Sequence, residues 1–172
     1  MLVALLSRKN ILVKRHKENK LRTIVFGVIV IIVLVVLLIL LLPRNRTNET
    51  VNLGDGTFSA RIAKTEADRE MGLSGVESLA SNKALLMVFP YSAQWQIWMK
   101  DMKIPLDIVW LNQDKKVIYI VKDALPKDST NVIFTPTTNA EYVIEFSAGT
   151  VKNHSISLGE EASFYNVNSG VN

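Results

Sequence analysis

The chain has no cysteine among its 172 residues, and that absence removes disulfide frameworks, thiolate zinc sites, iron–sulfur ligation and cysteine nucleophiles together. Histidine is nearly absent too. His16 and His154 are the only imidazoles, too few for a histidine metal cluster within one chain. Asp55, Asp101 and Asp128 do not fall into the EF-hand pattern, so neither a metal nor a cofactor is expected. With 8 Gly and 5 Pro, collagen-like and low-complexity classes are excluded. No G-x-S-x-G elbow occurs, and His154 lies in a polar turn, which leaves a serine triad without support. What is present is apolar: 48% of residues are hydrophobic against 21% charged, enough to bury a core. At ~100–200 residues per domain, the chain holds one folded domain plus appendages.

Residues 23–42, TIVFGVIVIIVLVVLLILLL, contain no charge. A helix of that length covers ~30 Å of hydrocarbon, which predicts a single transmembrane helix. A soluble core helix should show a polar face, and a cleaved signal peptide has a shorter apolar region followed by small residues. Neither description fits. Residues 1–22 carry seven basic side chains against Glu18, a net +6, whereas residues 23–172 have 13 basic and 15 acidic residues, a net −2. The basic arm is therefore expected in the cytoplasm, beside anionic lipid, with everything after the helix extracytoplasmic. The high sequence pI of 9.3 belongs to that arm, so no nucleic-acid partner is expected.

Residues 43–56 are rich in Asn, Thr, Arg and Gly and read as a linker reaching ~45 Å at most. From 57 to 165 short apolar runs alternate with turn residues, predicting a mainly β domain; residues 166–172 form a tail. Strands are expected at 58–63, 85–89, 96–99, 106–111, 117–121, 132–134, 141–146 and 162–165. One short helix is expected at 65–71, capped by Thr65, with Asp68 in the capping box and Gly72 at its end. The turn at 112–116 should close a hairpin, and a helical turn should follow Gly149.

The densest segment is 97–111, and all three tryptophans, Trp95, Trp98 and Trp110, fall within sixteen residues. If a strand ends near Lys100 and the next begins near Leu106, a hairpin brings Lys100 and Asp107 together beside indoles. Such a pair makes a polar spot in an apolar cleft, with Trp98, Lys100, Pro105, Asp107 and Trp110 as candidate ligand-binding residues. The plainer alternative is an ion pair that closes the hairpin over a tryptophan core. A carboxylate pair for glycoside hydrolysis, drawn from Asp101, Asp107, Asp114 or Asp123, requires a spatial separation that chain spacing does not fix.

Several motifs stand in one order: Asp68-Arg69-Glu70-Met71-Gly72-Leu73, Leu85-Leu86-Met87-Val88-Phe89-Pro90, Trp98-Met99-Lys100, Ile104-Pro105-Leu106-Asp107-Ile108, Tyr142-Val143-Ile144-Glu145 and Ala148-Gly149-Thr150. Together they resemble the prokaryotic family called domain of unknown function 192. The resemblance implies a jelly-roll-like β-sandwich, often exported or membrane-anchored, with no established activity. It matches Trp98, Lys100, Pro105 and Asp107 as motif positions. Val76 stands where the family usually has an arginine, which argues against an anion site there; Ser155 and Glu160 also depart from the pattern. The reading that results is a membrane-anchored extracytoplasmic β-sandwich acting as a binding or accessory module of the cell envelope, for an envelope ligand or a membrane protein. Its rival is an envelope hydrolase or transferase using Asp107 with Lys100.

Overall fold

A computed structural model describes residues 22, 25–38, 48–126 and 132–165. The chain divides into two compact units, Met1–Asn45 and Arg46–Asn172. In the first, residues 25–38 form helix α1, exposed at every position but Gly27. Among the described residues no helix is long and apolar enough to cross a membrane. Residues 23–24 and 39–42 of the apolar run lie outside the described residues, as do nearly all of the basic arm and the 166–172 tail.

The second unit is mainly β. Its strands are β1 (Asn48–Leu53), β2 (Gly56–Ala63), β3 (Lys83–Ala93), β4 (Ile97–Trp98), β5 (Leu106–Leu111), β6 (Val117–Ala124), β7 (Ile133–Phe134) and β8 (Ala140–Ser147), with short helices α2 (Glu66–Met71) and α3 (Thr150–Asn153). One six-stranded sheet has the order β1-β2-β3-β8-β5-β6, and β4 pairs with β7 in a two-stranded one. The layering is sandwich-like, but the wiring departs from a jelly roll, whose antiparallel strands divide between two sheets. Here β2 and β3 run parallel. The cause is local: α2 falls between them, and a crossover of that length containing a helix returns the chain in the same direction.

Side chains alternate across the large sheet, and both of its faces are covered. Leu86, Val109, Ile144 and Phe146 join one core cluster with Phe58, Val151 and Phe164. Their neighbours Leu85, Met87, Ile108, Trp110 and Val143 join another with Leu73, Ile97 and Met99. Burial on both faces explains why the central strands read as continuous apolar runs.

Three expectations change. The stretch taken as linker contains β1, because Val51 and Leu53 point inward from a strand that otherwise carries Asn, Glu and Thr; only residues 43–47 remain between the apolar run and the sheet. β3 continues through Pro90 to Ala93, and its register with β8 breaks between Val88 and Ala93, where a residue without an N–H is tolerated. Residues 162–165 form no strand; Asn52 and Ser163 make an isolated bridge, and Ala162 and Phe164 cover the first core.

Helix α2 forms as expected. Thr65 Oγ1 accepts from the Asp68 N–H at 3.1 Å, and the Gly72 N–H donates to Asp68 O at 3.1 Å with Gly72 at φ 50°. Glu66 and Asp68 in the first turn complement the helix dipole. The Arg69 guanidinium ties the helix to the sheet, donating to Val88 O at 3.0 Å and to Lys64 O while lying 5.1 Å over the Phe89 ring.

Candidate functional site

Lys100 and Asp107 are not brought together. The partner of β4 is β7, with Trp98 opposite Ile133, whereas β5 lies between β8 and β6 in the large sheet. Residues 99–105 are therefore a crossing between sheets, and no hairpin closes over them. Asp107 is 1% exposed; its Oδ1 accepts from the Asp123 N–H at 2.9 Å and its Oδ2 from the Val151 N–H at 2.8 Å. Asp123 has φ 53°, so this carboxylate fixes a strained position of β6 and the first turn of α3 in one stroke. Lys100 is exposed, with Nζ 5.2 Å from the Trp98 ring centroid. No ion pair joins the two among the described residues, and the alternative of a salt bridge closing a hairpin falls with the hairpin. Exposed Pro105 ends the crossing just before β5, and its carbonyl accepts from the Ala148 N–H at 3.2 Å.

The tryptophans separate by role. Trp110 is fully buried, tilted against Tyr119 at 5.2 Å, and donates from Nε1 to Trp95 O at 2.8 Å. Trp95 stacks on Phe89 with centroids 4.4 Å apart and planes 16° from parallel, and it packs against Tyr91 at 5.0 Å. Trp98 is 51% exposed. Trp110 thus supports from behind a wall whose front is Phe89, Tyr91, Trp95 and Trp98.

That wall bounds a cleft of about 460 Å³, closed on its other side by α2 and the 71–74 turn. Its volume is that of a small-molecule site. Glu145 lines it from β8, where the register sets it opposite Leu85 of β3 and Ile108 of β5. Tyr142, Ile144 and Phe146 take one face of the strand, and Val143 and Glu145 take the other. Because this second face is also covered, Glu145 is only 4% exposed, and its buried Oε2 has no hydrogen-bond partner among the described residues. Burial pushes its pKa up to about 7, against the opposing pull of the Arg61 guanidinium on β2. Gly72 lies over the carboxyl: a Cβ there would stand 3.9 Å from Glu145 Oε2 and 3.5 Å from Met87 Cε.

Sequence reasoning singled out Trp98 and Trp110 but passed over Glu145, Phe89, Tyr91 and Arg69 as site residues. The signal for Glu145 was its place as the lone acid in the apolar run 142–146. No cluster of ligating side chains able to hold a metal ion occurs among the described residues.

The model of the family DUF192, described as an uncharacterized ACR, matches residues 49–164. A crystal structure of a candidate transcription regulator from Sinorhizobium meliloti 1021 is similar at 25% identity and a TM-score of 0.67, over 71% of this chain and 97% of that one. A protein of unknown function from Novosphingobium aromaticivorans shares the fold at 23% identity and a TM-score of 0.63, over 69% of this chain and 84% of that one. No functionally curated protein matches the chain.

Proposed function

This chain belongs to the DUF192 family, and from that premise we propose that it is a membrane-anchored binding module of the cell envelope whose ligand seat is the Glu145 cleft. One observation carries the reading: Glu145 Oε2 sits buried at the cleft without a partner among the described residues. A buried polar atom left that way costs ~1–3 kcal/mol. The cost has a function where a bound molecule supplies the missing donor.

Anchoring is supported by the uncharged run 23–42 and by the charge asymmetry about it. Positive charge is retained in the cytoplasm, where the arm also meets anionic headgroups, so the β unit is extracytoplasmic. Only residues 43–47 separate the apolar run from β1 in the sequence. The description carried by the Sinorhizobium protein is not adopted: a net charge of −2 over residues 23–172 does not favour contact with phosphates. A hydrolase using Asp107 with Lys100 is disfavoured because both Asp107 oxygens already accept backbone N–H groups.

The full chain is expected to sediment with membranes, and a chain lacking residues 1–45 to stay in the soluble fraction; equal sedimentation of the two overturns the anchor. With the full chain in detergent micelles, the indole N–H signals of Trp95 and Trp98 are expected to shift saturably as envelope extract is added. Signals that stay still through glycan, peptidic and lipid fractions overturn the cleft as the seat.

A further inference from the structure

We propose that the cleft binds a primary ammonium group carried on an apolar stem, with Glu145 Oε2 as its acceptor and the Trp95–Trp98 wall as the seat of the stem. The inference rests on the cleft being the ligand seat and adds the chemistry of the ligand.

Four observations converge on an ammonium. First, one carboxyl oxygen alone is unpartnered, a single acceptor that one N–H of an ammonium satisfies without the paired donors of a guanidinium, and a quaternary ammonium has no N–H to offer. Second, the lining carries Glu66, Glu70 and Glu145 against Arg69 alone. Arg69 is already engaged by Lys64 O, Val88 O and the Phe89 face, and Arg61, whose charge reaches Glu145 from β2, donates to Gly72 O, so neither guanidinium stands open to a phosphate or carboxylate ligand while the acids of the lining outnumber its bases. Third, the walls are aromatic, and ring faces attract cations. The protein displays this twice beside the cleft, with Arg69 5.1 Å from the Phe89 centroid and Lys100 5.2 Å from the Trp98 centroid. Fourth, exposed Tyr91 and Trp98 leave apolar area at the lining, on which a flat or aliphatic stem is desolvated.

A neutral alcohol would satisfy the acceptor but leave the acids unbalanced. The discriminating pair is therefore benzylamine and benzyl alcohol, which share a stem and differ in charge. The full chain in detergent micelles is titrated with each at about pH 8, where an alkylamine keeps its proton, and the Trp95 and Trp98 indole signals are followed.

Benzylamine is expected to give a saturable shift and benzyl alcohol none in the same range. Glu145→Gln, which keeps the shape and removes the charge, is expected to weaken benzylamine on the order of 10- to 100-fold. Equal shifts from the two compounds, or unchanged benzylamine affinity in E145Q, overturn the ammonium inference and leave the cleft as a seat for neutral ligands. Silence with both compounds alongside a shift with envelope extract has the same meaning. Silence with every addition overturns the cleft reading itself.

Discussion

Raising the pH from about 5 to about 8 lowers the melting temperature of the Arg46–Asn172 unit, and Glu145→Gln flattens that dependence. The sign follows from proton counting. The folded pKa of Glu145 is raised from 4.5 to about 7 by burial. Between those values the folded state holds a proton that the unfolded state has released, so stability falls as pH rises through the window. Above about 7 both states are ionised and the loss is complete. At ~1.4 kcal/mol per pKa unit the full effect is roughly 3 kcal/mol, several degrees in melting temperature for a domain of this size.

The charged groups around the carboxyl are Arg61 on β2, which favours ionisation, and Arg69, Glu66 and Glu70 of α2, which line the same cleft. Glutamine at 145 binds no proton in either state, so its melting curve loses this component. Circular dichroism melts at half-unit pH steps check it. A native curve that rises through the window, or an E145Q curve with the same slope as the native one, would show that the carboxyl is hydrated or paired in the folded protein. A ligand ammonium acts in the opposite direction. By supplying a donor and a charge it favours the ionised form and is expected to restore stability above pH 7.

Much of the fold was legible in the residues. β5 occupies Leu106–Leu111 as read, and α2 begins after Thr65 and ends at Gly72 because capping is local chemistry. β1 was hidden, since only Val51 and Leu53 mark its inward face and the rest of NETVNL resembles a linker. The site was harder for a physical reason. Lys100 and Asp107 are seven positions apart, and nearness along the chain invited a hairpin. The strand that follows Gln96 instead pairs with residues 133–134, a non-local pairing that no spacing reports. Glu145 was visible as an acid in an apolar run, yet its burial depends on both faces of the sheet being covered. Alternation alone would have allowed it to face water. The three tryptophans stand close together in the sequence, but sequence could not say that Trp110 is buried behind while Trp98 is exposed.

Asp107→Ala is expected to cost ~2–4 kcal/mol of unfolding free energy, while Lys100→Ala stays within about 1 kcal/mol of the native protein. The difference comes from what each side chain does where it sits. Asp107, 1% exposed, receives the Asp123 N–H at 2.9 Å and the Val151 N–H at 2.8 Å. Alanine strands two backbone donors, one at a residue with φ 53° in β6 and one in the first turn of α3. Neither donor sits where a strand or helix partner could replace the lost oxygen. Asp107→Asn retains one acceptor and turns an amide toward the other N–H, so its cost should fall between those of Ala and the native residue. Lys100 loses only its placement over the exposed Trp98 ring, an interaction of ~0.5–1 kcal/mol at most in such a setting. Because the two side chains share no partner, the double variant should equal the sum of the singles within about 0.5 kcal/mol in urea unfolding. A coupling energy well above that would mean that Lys100 and Asp107 meet in solution, as a hairpin would require. Additive costs dominated by Asp107 would place this carboxylate among the groups that hold the sheet to α3, and leave the chemistry of the domain to the cleft around Glu145.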